Sequence, residues 1–269
     1  MKTKADKILY KICPLLSVAA FLAVWAIAAA ALNVEFLLPS PESVARDLIN
    51  AFGDKKFYAS IGVTLWHALA SYVAAFAAAA LFAGIASFFK AAEYFLYPLV
   101  VIMRVMPTIA VIFLSIVWLS GNKAPFLICF FVCFPLLYSQ FLSAIKGVNK
   151  GLLQMAKVYR LSKFTIITRI YLPEIYNQAI AGAASVLSFS VKITVAGEAV
   201  SQAAGSLGFM ISSANANLET GLLIAYALVA VLLGFLFEGT VKLCVFAFKK
   251  RAEKIGNTRA KKTENGGDL

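Results

Sequence analysis

Residues able to do chemistry are few in this chain and far apart. One histidine, His67, and four cysteines, Cys13, Cys129, Cys133 and Cys244, are the only imidazole and thiol groups in 269 residues. A metal centre draws roughly three or four protein ligands, which one imidazole cannot anchor, and no cysteine pair has the CxxC spacing of a zinc or redox site. Cys129 and Cys133 stand one helical turn apart in an apolar run, where buried packing is favoured over redox chemistry. His67 reads as a hydrogen-bonded interface residue, with proton handling as the alternative. No GxxxxGK[ST] loop occurs to cradle nucleotide phosphates. No cofactor is therefore expected on this chain, and a membrane enzyme lacks the cluster of His, Asp or Cys it would need.

What remains is charge in unusual places. Arg104, within Met103-Arg104-Val105-Met106-Pro107-Thr108, and Lys192 both sit inside apolar runs. A cation at such depth is costly, so it marks a solute path or a buried partner, or it snorkels to the interface. On a helix of 3.6-residue period, Ser185, Ser188 and Lys192 fall along one stripe, and Thr194, Glu198, Ser201 and Gln202 along another. Polar stripes of this kind either line a path or bond one helix to the next. Arg104 with Lys192 would make a cavity positive and suited to an anion, unless Lys192 pairs with Glu198 or Glu238. The candidate path is Arg104, Ser185, Ser188, Lys192 and Glu198.

The elements that must hold these groups are membrane spans. The chain is 61% hydrophobic with a mean hydropathy of +0.84, far above a soluble domain. A crossing needs roughly 20 mostly apolar residues, and such runs lie near 15–34, 62–89, 95–120, 124–145, 174–197 and 221–246. The fold class is thus an all-α integral membrane protein with about six transmembrane helices. Residues 1–14 form an N-terminal segment, 15–248 the membrane domain, and 249–269 a charged tail expected to be disordered.

The net charge of +12 with 25 Lys+Arg raises nucleic-acid binding, but the distribution argues against it. Four cations precede the first span, Lys90 lies between the second and third, six run from Lys146 to Arg169 and eight from Lys242 to Lys262. The opposite side carries Arg46, Lys55, Lys56 and Lys123. This is the positive-inside bias of a chain with both termini in the cytoplasm. The first span also has the layout of a signal peptide; an uncleaved anchor is favoured because six spans then satisfy the charge rule.

Between spans, Ser40-Pro41-Glu42-Ser43 signals entry into a short surface helix on the outer side. Ala74–Ala80 and Gly84 offer small residues for close helix contact, and Pro98 and Pro107 should bend or break the third span. The loop 146–173 predicts an amphipathic helix over Leu152, Met155, Ala156 and Tyr159, then a tight turn. Ser162 caps a second helix there, and Pro173 starts the fifth span. Residues 201–220 predict an external loop or short helix dipping into the outer face. The loop helix lies on lipid or docks a partner; its pattern leaves both open.

At this loop the sequence resembles the permease subunits of bacterial ABC importers. Their signature is Glu-Ala-Ala, three residues, Gly, nine residues and Ile-x-Leu-Pro. Here Gln154-Met155-Ala156, Arg160 and Ile170-Tyr171-Leu172-Pro173 hold that register. Gln154 replaces the acid, Met155 the first Ala and Arg160 the Gly. Arg104-Val105-Met106-Pro107, Ala196-Gly197-Glu198, Gly205-Ser206-Leu207-Gly208, Pro39-Ser40-Pro41 and Leu233-Gly234-Phe235-x-Phe237-Glu238 resemble the nitrate/sulfonate/taurine/bicarbonate branch.

The resemblance implies a type I ABC importer permease fold in a bacterial inner membrane, importing a small, anionic or zwitterionic nutrient. It further implies a second permease subunit, a cytoplasmic ABC ATPase dimer holding ATP and Mg, and an extracytoplasmic substrate-binding protein. Gln154, Met155, Ala156, Tyr159, Arg160 and Leu161 would then form the coupling helix that meets the ATPase. The rival reading is a secondary transporter driven by an ion gradient, which would show repeated halves with paired broken spans.

Overall fold

The computed structural model describes residues 4–119, 121–240 and 243. The tail expected over 249–269, Cys244 and the basic run Lys242–Lys262 lie outside the described residues.

The first helix, α1 (Lys4–Leu32), begins well before the apolar run Leu15–Leu32, so much of the expected N-terminal segment is itself helical. Trp25 Nε1 donates to the carbonyl of Pro39, 3.0 Å away, fastening the chain that follows α1. Ser40 then caps α2 (Pro41–Phe52): its hydroxyl accepts from the Ser43 amide at 3.1 Å, and Pro41 takes a first-turn position where its missing N–H costs nothing. Asp54 caps α3 (Lys55–Phe88) through the Lys56 amide at 2.9 Å.

The core is a three-helix seam of α3, α6 (Ala124–Lys146) and α9 (Leu172–Ser201). Ala75, Ala79, Ala83 and Ala86 are all essentially sealed on α3 and pack with Cys129, Cys133, Leu137 and Phe141 of α6. Small side chains let the backbones close up, which is how helices gain contact when lipid removes the hydrophobic drive. Gly84 plays no part in this: a Cβ there would meet nothing within 4 Å. The seam uses Ala83 and Ala86 instead, because Gly84 is rotated off the buried face. Cys129 and Cys133 are buried free thiols with sulfurs 3.8 Å apart. Outward faces carry exposed Trp66, Phe88, Tyr94, Phe95 and Val117, as expected of a lipid-facing surface.

The third span departs from a single rod. It is two helices, α4 (Lys90–Val105) and α5 (Thr108–Trp118), bent by 101°. Pro98 is carried inside α4 and does not break it. Pro107 does, because the residue before a proline is pushed out of the helical region, and Met106 has φ −56°, ψ 127°. Among the described residues five helices are long and apolar enough to cross a membrane, or six if this bent pair is one span.

The loop after α6 holds α7 (Lys150–Val158), capped by Asn149, and the short α8 (Lys163–Ile166), capped by Ser162 accepting from the Thr165 amide at 3.1 Å. As expected, Pro173 stands in the first turn of α9; α8 runs through a π turn, Ile167–Tyr171, directly into that helix. The Leu172 amide bonds back to Ile167, one residue further than in an α-helix. The widened turn accommodates the ring and missing donor of Pro173 within one continuous rod. At 1.5 Å per residue the rod is on the order of 55 Å long, so it outreaches a hydrocarbon core of about 30 Å.

Beyond the head of the rod, Ser206 caps α10 (Leu207–Ala216), and α11 (Thr220–Thr240) returns as the last span.

The turn closing α7 has a left-handed residue, Arg160, at φ +49°, and the Leu161 amide bonds to the Ala156 carbonyl at 3.0 Å. The tight turn is therefore kept without glycine, at a cost of about 1–2 kcal/mol. Arg160→Gly is expected to stabilise the turn by about 1 kcal/mol. Slower hydrogen exchange of the Leu161 amide in purified protein checks it; unchanged or faster exchange contradicts it.

Candidate functional site

The two stripes of α9 face different surroundings. Ser185, Ser188 and Lys192 line a cavity of about 600 Å³ between α9 and α11, bounded further by Phe189, Val231, Phe235 and Glu238, with Ile211 of α10 at its edge. Its walls are mainly apolar. Lys192 is exposed to this space and makes no ion pair among the described residues, neither with Glu198 nor with Glu238. Ser188 also ties the helices together, donating to the Gly234 carbonyl at 3.0 Å.

The second stripe turns inward. Thr194 and Glu198 are both fully buried. Glu198 is not among the residues lining the Lys192 cavity; it is enclosed by α3 and α10. Thr64 Oγ1 donates to its Oε2 at 2.7 Å, the Gly208 amide donates to the same oxygen at 3.2 Å, and His67 Nδ1 lies 2.7 Å from Oε1. Thr64 Oγ1 in turn accepts from the Leu207 amide at 2.9 Å. His67 is thus a satisfied interface residue, and its partner is Glu198, a pairing across 131 residues that no local pattern marks.

Gly208 permits the arrangement. A Cβ on it would stand 2.4 Å from both Glu198 Cβ and the Val195 carbonyl. Only a bare Cα lets α10 approach α9 closely enough for its amide to reach the carboxylate.

Arg104 is remote from Lys192. It sits at the end of α4 beside the Pro107 break, donates to Ser139 Oγ of α6 and lines a separate cleft of about 280 Å³. The same cleft holds the Glu93–Lys146 ion pair at 2.5 Å. Within one chain the two cations do not share a cavity. In the 146–173 loop, Ala156 is buried, while Gln154, Met155, Val158, Tyr159, Arg160 and Leu161 are exposed, leaving an apolar and basic face. Among the described residues no group of three or more His, Cys, Asp or Glu side chains could hold a metal ion.

Comparison with known proteins gives this geometry its context. The family described as "Binding-protein-dependent transport system inner membrane component" matches residues 75–250. The chain belongs to this family. Among its relatives, the taurine transport system permease protein TauC of Escherichia coli (strain K12) is 27% identical over 223 residues, 80% of each chain. The putative aliphatic sulfonates transport permease protein SsuC of the same organism is 24% identical over 247 residues, 90% of this chain and 93% of that one. A crystal structure of a bacterial ABC transporter involved in import of the acidic polysaccharide alginate superposes with a TM-score of 0.60 at 17% identity, over 91% of this chain and 96% of that chain. That likeness establishes a shared fold.

The chain is therefore a multi-pass inner-membrane permease subunit of an ABC-type importer, which works with ATPase and substrate-binding partners. Family permeases are not themselves ATPases, and this division of labour excludes the ion-gradient carrier.

Gly208→Ala is expected to destabilise the permease by about 1–3 kcal/mol, since the added methyl meets backbone that cannot yield. Thermal unfolding of the purified variant in detergent, compared with Gly62→Ala on α3, where a Cβ would meet nothing within 4 Å, checks the effect at Gly208. A Gly208→Ala protein as stable as the unmodified chain contradicts the close approach.

Proposed function

We propose that two copies of this permease form a pore for a small sulfonate-type anion, presented from outside by a binding protein and driven by a cytoplasmic ATPase pair. The observation that carries the reading is Lys192, a cation facing a mainly apolar cavity with no ion-pair partner among the described residues. A sulfonate has a compact charge and a short apolar body, and such a cavity answers both. The taurine and aliphatic-sulfonate permeases among its relatives support the same class.

Both termini lie in the cytoplasm by the charge distribution. The α7 helix then projects toward the ATPase with Met155, Val158 and Tyr159 exposed, the kind of apolar helix face that seats in a partner's groove. Gln154, Ala156, Arg160 and Leu161 complete the coupling segment. Closure of the ATPase pair on ATP moves this segment as a rigid body, and the α8–α9 rod carries the movement into the membrane. Ser185, Ser188 and Lys192 line the path; Arg104 contributes to it from the break between α4 and α5.

Two outcomes test this in proteoliposomes holding the permease with its ATPase and binding protein. Lys192→Ala is expected to lower ATP-driven taurine uptake about tenfold, the size of one charge contact at a partly hydrated site, with assembly intact. Lys192→Arg should retain part of the activity, and undiminished uptake by Lys192→Ala removes Lys192 from the path. Ala156→Asp places a carboxyl at a sealed position of α7 and should abolish co-purification of the ATPase while the spans stay folded. Undiminished co-purification refutes the coupling assignment.

A further inference from the structure

Glu198 has no role in the path just described, yet its carboxyl group is fully buried and meets three polar partners. Its polar partners come from α3 and α10, Thr64, His67 and Gly208, and none from its own helix. The amides at the start of a helix have no carbonyl of their own helix to bond. In α10 the Leu207 amide is taken by Thr64, that of Gly208 by Glu198 and that of Phe209 by Ser206 at 3.1 Å. The end of α10 that would otherwise attract an anion is thus filled by the protein's own carboxyl group.

This clasp sits at the head of the long rod. Just past Glu198, Gln202 Nε2 donates to Ser212 Oγ at 2.6 Å, a second tie between α9 and α10. Ile211 packs on the buried pair Val191 and Val195 of α9 and also borders the Lys192 cavity. The α10 helix therefore covers the cavity edge while being fixed to the rod whose base carries the coupling loop.

We propose that Glu198, with Thr64 and His67, is a positioning group that fixes α10 as a lid on the head of α9. The lid travels with the rod during transport and has no hinge of its own. This rests on the reading above that α10 lies on the outer face and that the rod is driven from its base. Removing the carboxyl frees α10 from the rod, so that movement at the base no longer reaches the lid.

The test uses the whole transporter in proteoliposomes, with taurine as probe. Gln202→Cys and Ser212→Cys are introduced together and joined by a short bifunctional thiol reagent, pinning α10 to α9. The pinned transporter is expected to keep uptake within about twofold of the unlinked one. Glu198→Ala should lose about tenfold in uptake and in the stimulation of ATPase by the binding protein, a typical coupling between distant sites, while basal ATPase persists. Pinning the Glu198→Ala variant should restore both, which a purely structural defect would not allow. Should Glu198→Ala not assemble, Thr64→Val removes one hydroxyl from the same clasp and takes its place in both arms. Loss of uptake on pinning alone, normal coupling without the carboxyl, or failure of pinning to restore it each overturns the proposal. If the unmodified transporter takes up no taurine, the assigned solute is wrong; the lid is then judged by the stimulated ATPase alone.

Discussion

A carboxyl group sealed among membrane-spanning helices must be met atom by atom by donors of the protein. Glu198 shows how completely that demand shapes this fold. Taking an ion out of water costs several kcal/mol, while hydrogen bonds to a charged group return about 1.5–3 kcal/mol each. Its three partners roughly balance the cost, so the group adds little to stability but tolerates only one arrangement of them. That arrangement sets where α3, α9 and α10 sit relative to one another, and Gly208 is bare because of it.

The consequence is a helix with two functions on two sides. Glu198 binds α9 into the protomer beside the buried Thr194, and Ser185, Ser188 and Lys192 leave the other side open to the cavity. Because α8, the π turn and α9 are continuous, the side that holds the protomer together and the side that faces the cavity are parts of one rod. Its base emerges where the basic, exposed α7 loop lies, and its head carries α10. Conversely, α4 and α5 are interrupted at Met106-Pro107, which places Arg104 at a kink of a separate cleft.

Much of this was legible in the sequence because membrane helices follow short-range rules. Apolar length gave the spans, Ser40, Ser162 and the Pro at position 41 gave helix starts, and Pro107 gave the break. The two polar stripes of α9 were also readable, being a matter of period alone. Which stripe faced inward was not, since that depends on Thr64 and His67 of a helix more than a hundred residues earlier. Gly84 and Pro98 looked like structural markers and are not: a Cβ at Gly84 would meet nothing within 4 Å, and Pro98 is exposed within an unbroken α4. Arg160 stands where the signature has Gly, yet the left-handed geometry persists because the Leu161 amide still finds the Ala156 carbonyl. Within one chain Arg104 and Lys192 line different clefts, a separation set by long-range packing that helix period does not encode.

The central claim is that the permease is a passive lever whose outer lid moves only with the rod beneath it. It is tested most directly by spin-label distances in the assembled transporter, nucleotide-free and trapped with ATP and vanadate. With labels at the exposed positions Val200 and Asn215 of one copy, the distance should stay within about 2 Å between the two states. The distance between the Asn215 positions of the two copies should change. A shift within one copy, with the heads of the two α9 rods stationary, would contradict the account.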